Sequence, residues 1–336
     1  MASFILKRLL TVIPSLIGLL ALAFVMIRVL PADPAVALAG DQATPQMIAQ
    51  IREAYGFDRP LLEQFWLYLG RVAHFDFGVS IYSQREVALD MVDRLPATLE
   101  LTFASLLVSV AVGIPLGVIA ATHHNRWPDF VIRIGTVAGI GIASFWFAIM
   151  LQLLFTMELD WLPLSGRLSN ELTPPPFVTG LYLIDALIAF DFEAWTDALR
   201  HLAMPTMTLA VAGITTIARF TRAGMLEVLQ KDFITYERAA GYPARRVVWI
   251  YALRASIGNA VTQIGLLFGA LIAGSIIVET IFVWPGIGTY VAQAIFAADY
   301  KPMLAVTLLV GLVYALVNIG VDILLAFLDP RVRAQG

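Results

Sequence analysis

The residue types that most often carry chemistry are scarce in this sequence. It contains no cysteine, so it has neither a thiolate nucleophile nor a cysteine metal site. Its three lysines, Lys7, Lys231 and Lys301, do not follow the glycine-rich turn of a nucleotide-binding loop, and no HExxH or GxSxG motif occurs. His123 and His124 are adjacent, so they do not share a helix face. We therefore expect no catalytic residue, no metal site and no cofactor bound by this chain.

A long polar, basic stretch lies between two apolar segments. TYERAAGYPARRVVWIYALR, residues 235–254, contains four arginines and a Gly-Tyr-Pro break. Gly241 is suited to end one helix and Pro243 to begin the next. The stretch predicts a short helix, a turn and a second helix that continues into the next apolar segment. An ordinary solvated loop would explain the arginines, but it would need only a few residues. The 36-residue length of the segment 219–254 therefore favours a docking surface.

The composition indicates an integral membrane protein. Of 336 residues, 59% are hydrophobic and 14% are charged, whereas soluble domains carry about 25% charged residues. A membrane-spanning helix needs about 20 mostly apolar residues. Six windows meet or approach this length: 9–30, 97–121, 134–157, 202–218, 255–281 and 303–327. We predict an all-α protein with six transmembrane helices.

The distribution of charge predicts the orientation. The terminal segments 1–8 and 328–336, together with 122–133 and 219–254, hold 13 Lys and Arg against 5 Asp and Glu. The remaining connections, 31–96, 158–201 and 282–302, hold 8 against 17. Because Lys and Arg concentrate in cytoplasmic loops, both termini are predicted to be cytoplasmic.

The same pattern divides the chain. Residues 1–30 hold the N-terminus and first span, and 31–96 form a periplasmic segment. Residues 97–336 form a core with five spans, including the periplasmic loop 158–201 and the cytoplasmic loop 219–254.

Ionisable residues within the spans lie near their ends, at Arg28, Glu100, Glu279 and Asp322. We expect them to reach the membrane interface rather than to form an interior relay. A stand-alone secondary transporter or channel is therefore disfavoured. A membrane scaffold or sensor would not need a docking loop of this length. Glycine pairs at four-residue spacing, such as Gly113 with Gly117, predict close helix packing.

The stretch 235–254 resembles the cytoplasmic loop of ABC importer permeases for dipeptides and oligopeptides, specifically the first of their two paralogous permeases. Other segments resemble that family in family order along nearly the whole chain. They are RLLTVIPSLIGLLALAFVMIRVLPADPA, YGFDRPLLEQFWLYLG, FDFGVSI, RLPATLELT, GIPLGVIAA, ASFWFAIMLQLLF, WLPLSGR, HLAMPTMTLA, VETIFVWPGIG and LDPRVR.

The resemblance implies a type I ABC importer fold in a bacterial inner membrane. It implies a paralogous second permease, two ATPase subunits that hold ATP and Mg²⁺, and a periplasmic or lipoprotein binding protein; no nucleic acid is involved. This chain would form half of the pathway for short peptides and would not be an enzyme. Nickel, glutathione, opines or another small solute remain alternative substrates.

The resemblance also assigns candidate residues. The ATPase-coupling surface comprises Thr235, Tyr236, Glu237, Ala239, Ala240, Gly241 and Arg245. Small and polar residues of the fifth span, Gln263, Gly269 and Ser275, are candidates for the translocation pathway. The turn from Trp284 to Gly288 is expected to shape a bent outer connection between the last two spans.

Overall fold

The computed structural model describes residues 2–29, 44–54 and 58–328, and most of these residues are helical. The helices in chain order are α1 (Ala2–Val29), α2 (Pro45–Ala54), α3 (Leu61–Ala73), α4 (Val87–Thr122), α5 (Trp127–Gly141), α6 (Ser144–Gln152), α7 (Tyr182–Ile188), α8 (Phe192–Val228), α9 (Asp232–Ala239), α10 (Ala244–Arg246), α11 (Leu253–Ile281), α12 (Ile287–Phe296) and α13 (Tyr300–Leu328). Segments Leu153–Glu158 and Val247–Ala252 have π-helical geometry.

Four of these helices are long and apolar enough to cross a bilayer, and they contain the segments Val87–Thr122, Phe192–Val228, Ala260–Ile281 and Tyr300–Ile323. The pair α5 and α6 makes a fifth candidate if its two bent parts count as one span. The predicted third window, 134–157, is therefore not a single straight helix, because the chain turns by 99° between these helices. The six-span count and the orientation of the termini stay predictions.

Helices α4 and α8 extend well beyond the predicted windows. They contain 36 and 37 residues, so each is about 55 Å long, compared with about 30 Å for the hydrocarbon core of a bilayer. The acidic segment before the fourth window divides between α7 and the first turns of α8, while residues 219–228 continue α8 at its other end.

Helices α4 and α8 form the most extensive contact of the bundle, and glycines permit their close approach. A Cβ at Gly117 would lie 2.6 Å from the Thr221 Cβ and 2.7 Å from the Ala218 carbonyl oxygen. Gly113 lies similarly close to Ile217. The packing role predicted for this glycine pair is therefore confirmed, since neither position has room for a side chain.

We predict that Gly117→Ala destabilises the protein by about 1–3 kcal/mol, because the new methyl group overlaps atoms of α8. Gly135→Ala is the matched control. A Cβ there meets no described atom within 4 Å, and alanine has the higher helix propensity. Thermal unfolding of the two purified variants in detergent checks this. Equal melting temperatures would contradict the packing role.

Candidate functional site

The short helix α9 is fixed to the bundle by one side chain. Ile234 is fully buried, in a cluster formed by residues from four other segments. These include Val118 of α4, Met225 and Val228 of α8, and Val247 of the π-helical segment. Burying an isoleucine stabilises by about 1.5–3 kcal/mol. Ile234 is the one buried residue of α9, which packs mainly against the π-helical segment, while Glu237 is partly buried and the other residues of the helix are exposed.

Gly241 ends α9 in the manner that its residue type predicts. Its φ of +81° lies in the left-handed region, where a side chain is strained. The Gly241 N–H donates to the Arg238 carbonyl at 3.1 Å, and the Tyr242 N–H donates to the Glu237 carbonyl at 3.3 Å. This pair of bonds is a Schellman motif. Pro243 then precedes the next helix, so the predicted order of helix, turn and helix is confirmed.

The second helix runs from Ala244 through the π-helical segment into α11 without a break. The Arg246 guanidinium lies 5.0 Å from the centre of the Tyr242 ring, and Tyr242 packs edge-on against Tyr251 at 5.5 Å. These contacts join the turn after α9 to the start of the long helix. The turn is therefore attached to the start of this helix by packed rings as well as by the backbone.

The structure brings the predicted coupling residues together on and beside α9. Six of them are exposed and Glu237 is partly buried. Tyr236 has the most prominent side chain, with 71% of its surface exposed. Further exposed apolar side chains surround these residues, namely Phe233, Tyr242, Trp249 and Ile250. We call these eleven residues the α9 surface: Phe233, Thr235, Tyr236, Glu237, Ala239, Ala240, Gly241, Tyr242, Arg245, Trp249 and Ile250.

Polar side chains are buried at the opposite end of the bundle, around Glu279. Its carboxylate accepts hydrogen bonds from the Thr98 hydroxyl at 2.6 Å, the Ser275 hydroxyl at 3.0 Å and the Thr289 N–H at 3.0 Å. The Thr98 oxygen in turn accepts from the Ile287 N–H at 2.8 Å. This network ties α4, α11 and the start of α12 together.

The predicted bent outer connection follows Glu279 directly. Trp284 is buried and donates its indole N–H to the Ala97 carbonyl at 2.9 Å. The Gly286 N–H donates to the Trp284 carbonyl at 2.8 Å, and α12 begins at Ile287. A side chain at Gly286 would overlap the Glu279 carboxylate. The turn is therefore a structural part of the network.

A second buried carboxylate lies beside this network. The Arg167 guanidinium binds Glu100 at 2.9 and 2.5 Å, donates to the Gly180 carbonyl at 2.7 Å and stacks 3.7 Å above the Tyr182 ring. Asp185 holds the loop that carries Gly180. Burial raises the pKa of the Asp185 carboxyl, but hydrogen bonds from the Thr179 hydroxyl and three backbone N–H groups outweigh this and hold the pKa below its ordinary value.

Two of the charges near span ends are buried within the protein, since Glu279 is fully buried and Glu100 is 8% exposed. Glu100 is paired with Arg167, and Glu279 accepts three hydrogen bonds. The expectation that these charges reach the membrane interface stays a prediction. Sequence reasoning missed the Glu100–Arg167 pair, although an isolated glutamate in an apolar window and an arginine in the following outer loop were available as a signal.

The predicted pathway residues separate in the structure. Gly269 and Ser275 line a cavity of about 450 Å³ between α11, α12 and α13, whereas Gln263 lies outside it. Most of the cavity wall is apolar, and Ser275 is buried with its hydroxyl bonded to Glu279. Gly269 also packs against the Tyr314 ring of α13. Within the described residues, no group of three His, Asp or Glu side chains is arranged to hold a metal ion.

We predict that Ile234→Ala destabilises the packing of α9 against the bundle. The substitution removes the one buried side chain of the helix and leaves a cavity, which lowers the stability by about 2–5 kcal/mol. Amide hydrogen exchange of residues 232–239 should quicken at least about tenfold. Thr235→Ala, at the neighbouring exposed position, is the control and should change local stability by no more than about 0.5 kcal/mol. Unchanged exchange in Ile234→Ala would show that other contacts hold α9.

Comparison with known proteins gives matches along nearly the whole chain. The family described as "Binding-protein-dependent transport system inner membrane component" matches residues 113–334, and its N-terminal companion matches residues 1–102. A probable D,D-dipeptide transport system permease of Escherichia coli K12 is 40% identical over 319 residues, which cover 95% of this chain and 94% of that protein.

Two further relatives match at full or nearly full length. A di/tripeptide transport system permease of Pseudomonas aeruginosa UCBPP-PA14 is 38% identical over 336 residues, covering 100% of both chains. A glutathione transport system permease of Salmonella choleraesuis SC-B67 is 36% identical over 333 residues, covering 99% of both. Together with the apolar helices and their connections, these matches show that the chain is a multi-pass membrane permease belonging to the family of binding-protein-dependent transport system inner membrane components.

Proposed function

We propose that this chain is one of two permease subunits of an ATP-driven importer for short peptides in a bacterial inner membrane. A separate binding protein delivers the peptide, and two ATPase subunits hold ATP and Mg²⁺. The di- and tripeptide transport named for the relatives at 38–40% identity supports this substrate class. The chain itself supplies one wall of the pathway and a contact for an ATPase.

The structural observation that carries the proposal is the construction of α9. The helix is held by the buried Ile234, while aromatic and small residues of the α9 surface are exposed on its other side. Exposed aromatic side chains beside small residues are typical of a surface that a partner covers. The sequence has no nucleotide-binding loop, so a partner must supply ATP hydrolysis. The proposed occupant of the α9 surface is therefore the ATPase.

The mechanism follows from the contacts of α9. ATP binding closes the two ATPases and displaces the surface on which α9 rests. Ile234 passes this displacement to α4 and α8, and the Tyr242–Tyr251 contact passes it to α11. The bundle then has two arrangements, whose populations depend on nucleotide at one end and on loaded binding protein at the other.

We predict that Gly241→Asp leaves the chain in the membrane but abolishes its association with the ATPases. The substitution puts a charge on the α9 surface and a side chain at a left-handed φ. Gly70→Asp, at an exposed glycine with no described atom nearby, is the matched control. The measurement is co-purification of co-expressed ATPase subunits. Normal association and peptide uptake by Gly241→Asp would contradict the coupling role.

We also predict that Ser275→Cys reports opening of the pathway. The side chain is buried, so a methanethiosulfonate reagent should modify it slowly in the resting complex and at least about tenfold faster during ATP-driven turnover. The chain lacks cysteine, so there is no background reaction from this subunit. Thr280→Cys, exposed about one turn further along α11, should react at a constant rate. If turnover changed the modification rates of both variants equally, Ser275 would not line the pathway.

Glutathione is a second candidate substrate, favoured by the relative at 36% identity over nearly the full length of both chains. Nickel, opines and other small solutes are weaker candidates because no relative described above is named for them. Uptake of radiolabelled dipeptide, tripeptide and glutathione by the reconstituted importer separates these substrates. The α9 surface serves the same role in each case.

A further inference from the structure

A cleft of about 300 Å³ lies between α5 and α8, at the end that the charge distribution predicts to be cytoplasmic. Its walls combine two kinds of residue. Apolar and small side chains come from both helices, and three arginines also line the cleft. Its lining residues include Ile132, Arg133, Thr136, Val137, Arg219 and Arg222.

The three arginines are not equivalent. Arg222 is neutralised by Asp129, which accepts its Nε–H at 2.7 Å and its Nη2–H at 2.8 Å. Arg133 and Arg219 form no ion pair with any residue in the described part of the chain, and both are exposed. Asp129 also interacts electrostatically with Arg133, but three arginines face this one carboxylate, so the cleft keeps a net positive charge. Guanidinium groups bind phosphate oxygens strongly.

The position of the cleft relates these charges to the bilayer. Trp127, at the start of α5, is 77% exposed, and tryptophan at a span end commonly lies at headgroup level. Arg133 lies six residues further along the helix, about 9 Å deeper by helix geometry, and its long side chain, which leans toward the N-terminus of the helix, extends back toward headgroup level. The outward surface of α5 continues with exposed apolar side chains at Ile134 and Val137. Basic side chains are thus followed along α5 by an apolar surface, which fits a ligand with an anionic head and apolar chains.

We propose that the cleft between α5 and α8 binds the phosphate of an anionic phospholipid, with Arg133 and Arg219 as its cationic ligands and acyl chains along Ile134 and Val137. A basic pocket between membrane helices on the cytoplasmic side is a physical basis for such binding. The lipid would join α5 to α8 beside the Asp129–Arg222 pair. The site is independent of which solute the protein carries.

Native mass spectrometry of the full-length chain, titrated with phosphatidylglycerol in detergent, tests the proposal. An arginine in direct contact with the anionic headgroup contributes roughly a fivefold change in affinity. The double variant Arg133→Gln/Arg219→Gln should therefore bind phosphatidylglycerol at least about tenfold more weakly. Arg126→Gln removes an exposed charge near the same end without touching the cleft, and its affinity should stay within about twofold.

Binding of three ligands, phosphatidylglycerol, phosphatidylcholine and inorganic phosphate, is compared to identify the source of the phosphate. Wild type should bind phosphatidylcholine, which has no net charge, at least about tenfold more weakly than phosphatidylglycerol, and millimolar inorganic phosphate should not displace the lipid. Arg133→Lys/Arg219→Lys should recover part of the affinity because it keeps both charges.

Unchanged phosphatidylglycerol affinity in the double glutamine variant, or equal binding of phosphatidylcholine, would overturn the proposal. Displacement by inorganic phosphate would assign the cleft to a free anion. Loss of lipid binding on co-purification with the second permease would assign it to a subunit interface. If the double variant does not fold, the two single glutamine variants provide the same comparison, because each side chain is exposed.

Discussion

The close contact between α4 and α8 determines the positions of the other functional parts. Glycines on the facing surfaces bring the two backbones together, and α8 also packs against α5, α6, α7 and α11. At one end the two helices form the pocket for Ile234. At the other end α4 carries Thr98 and Glu100, which hold α11 and the outer loop. This pair of helices thus links the α9 surface to the buried network, which lies about 30 Å away along α4 between Val118 and Thr98.

Local signals in the sequence were sufficient to predict the helices and the turn around α9. Gly241 and Pro243 specify where one helix ends and the next begins, because the first favours left-handed backbone and the second cannot continue a hydrogen-bonded turn. The exposure of the coupling residues followed from their small or polar types. Apolar windows likewise located the long helices, since spanning a bilayer imposes a minimum length.

Other features depend on contacts that local signals do not report. Hydropathy detects apolar length but not direction, so it did not show the 99° bend between α5 and α6. Helices α4 and α8 extend past their apolar windows, and some residues of each polar end are buried against neighbouring elements. The burial of Glu100 and Glu279 depends on donors 67 and 181 residues away, and one sequence does not show which distant groups meet.

The Glu100–Arg167 pair also has a consequence for how α4 enters the membrane while the chain is being synthesised. The arginine is synthesised 67 residues after the glutamate. While α4 enters the membrane, its carboxylate has no guanidinium to neutralise it, and a charge inside the hydrocarbon layer is costly. The neutralised arrangement of Glu100 therefore forms only after the loop that carries Arg167 has been synthesised and has folded back onto α4. Burial of this carboxylate thus depends on a tertiary contact and not on the helix alone.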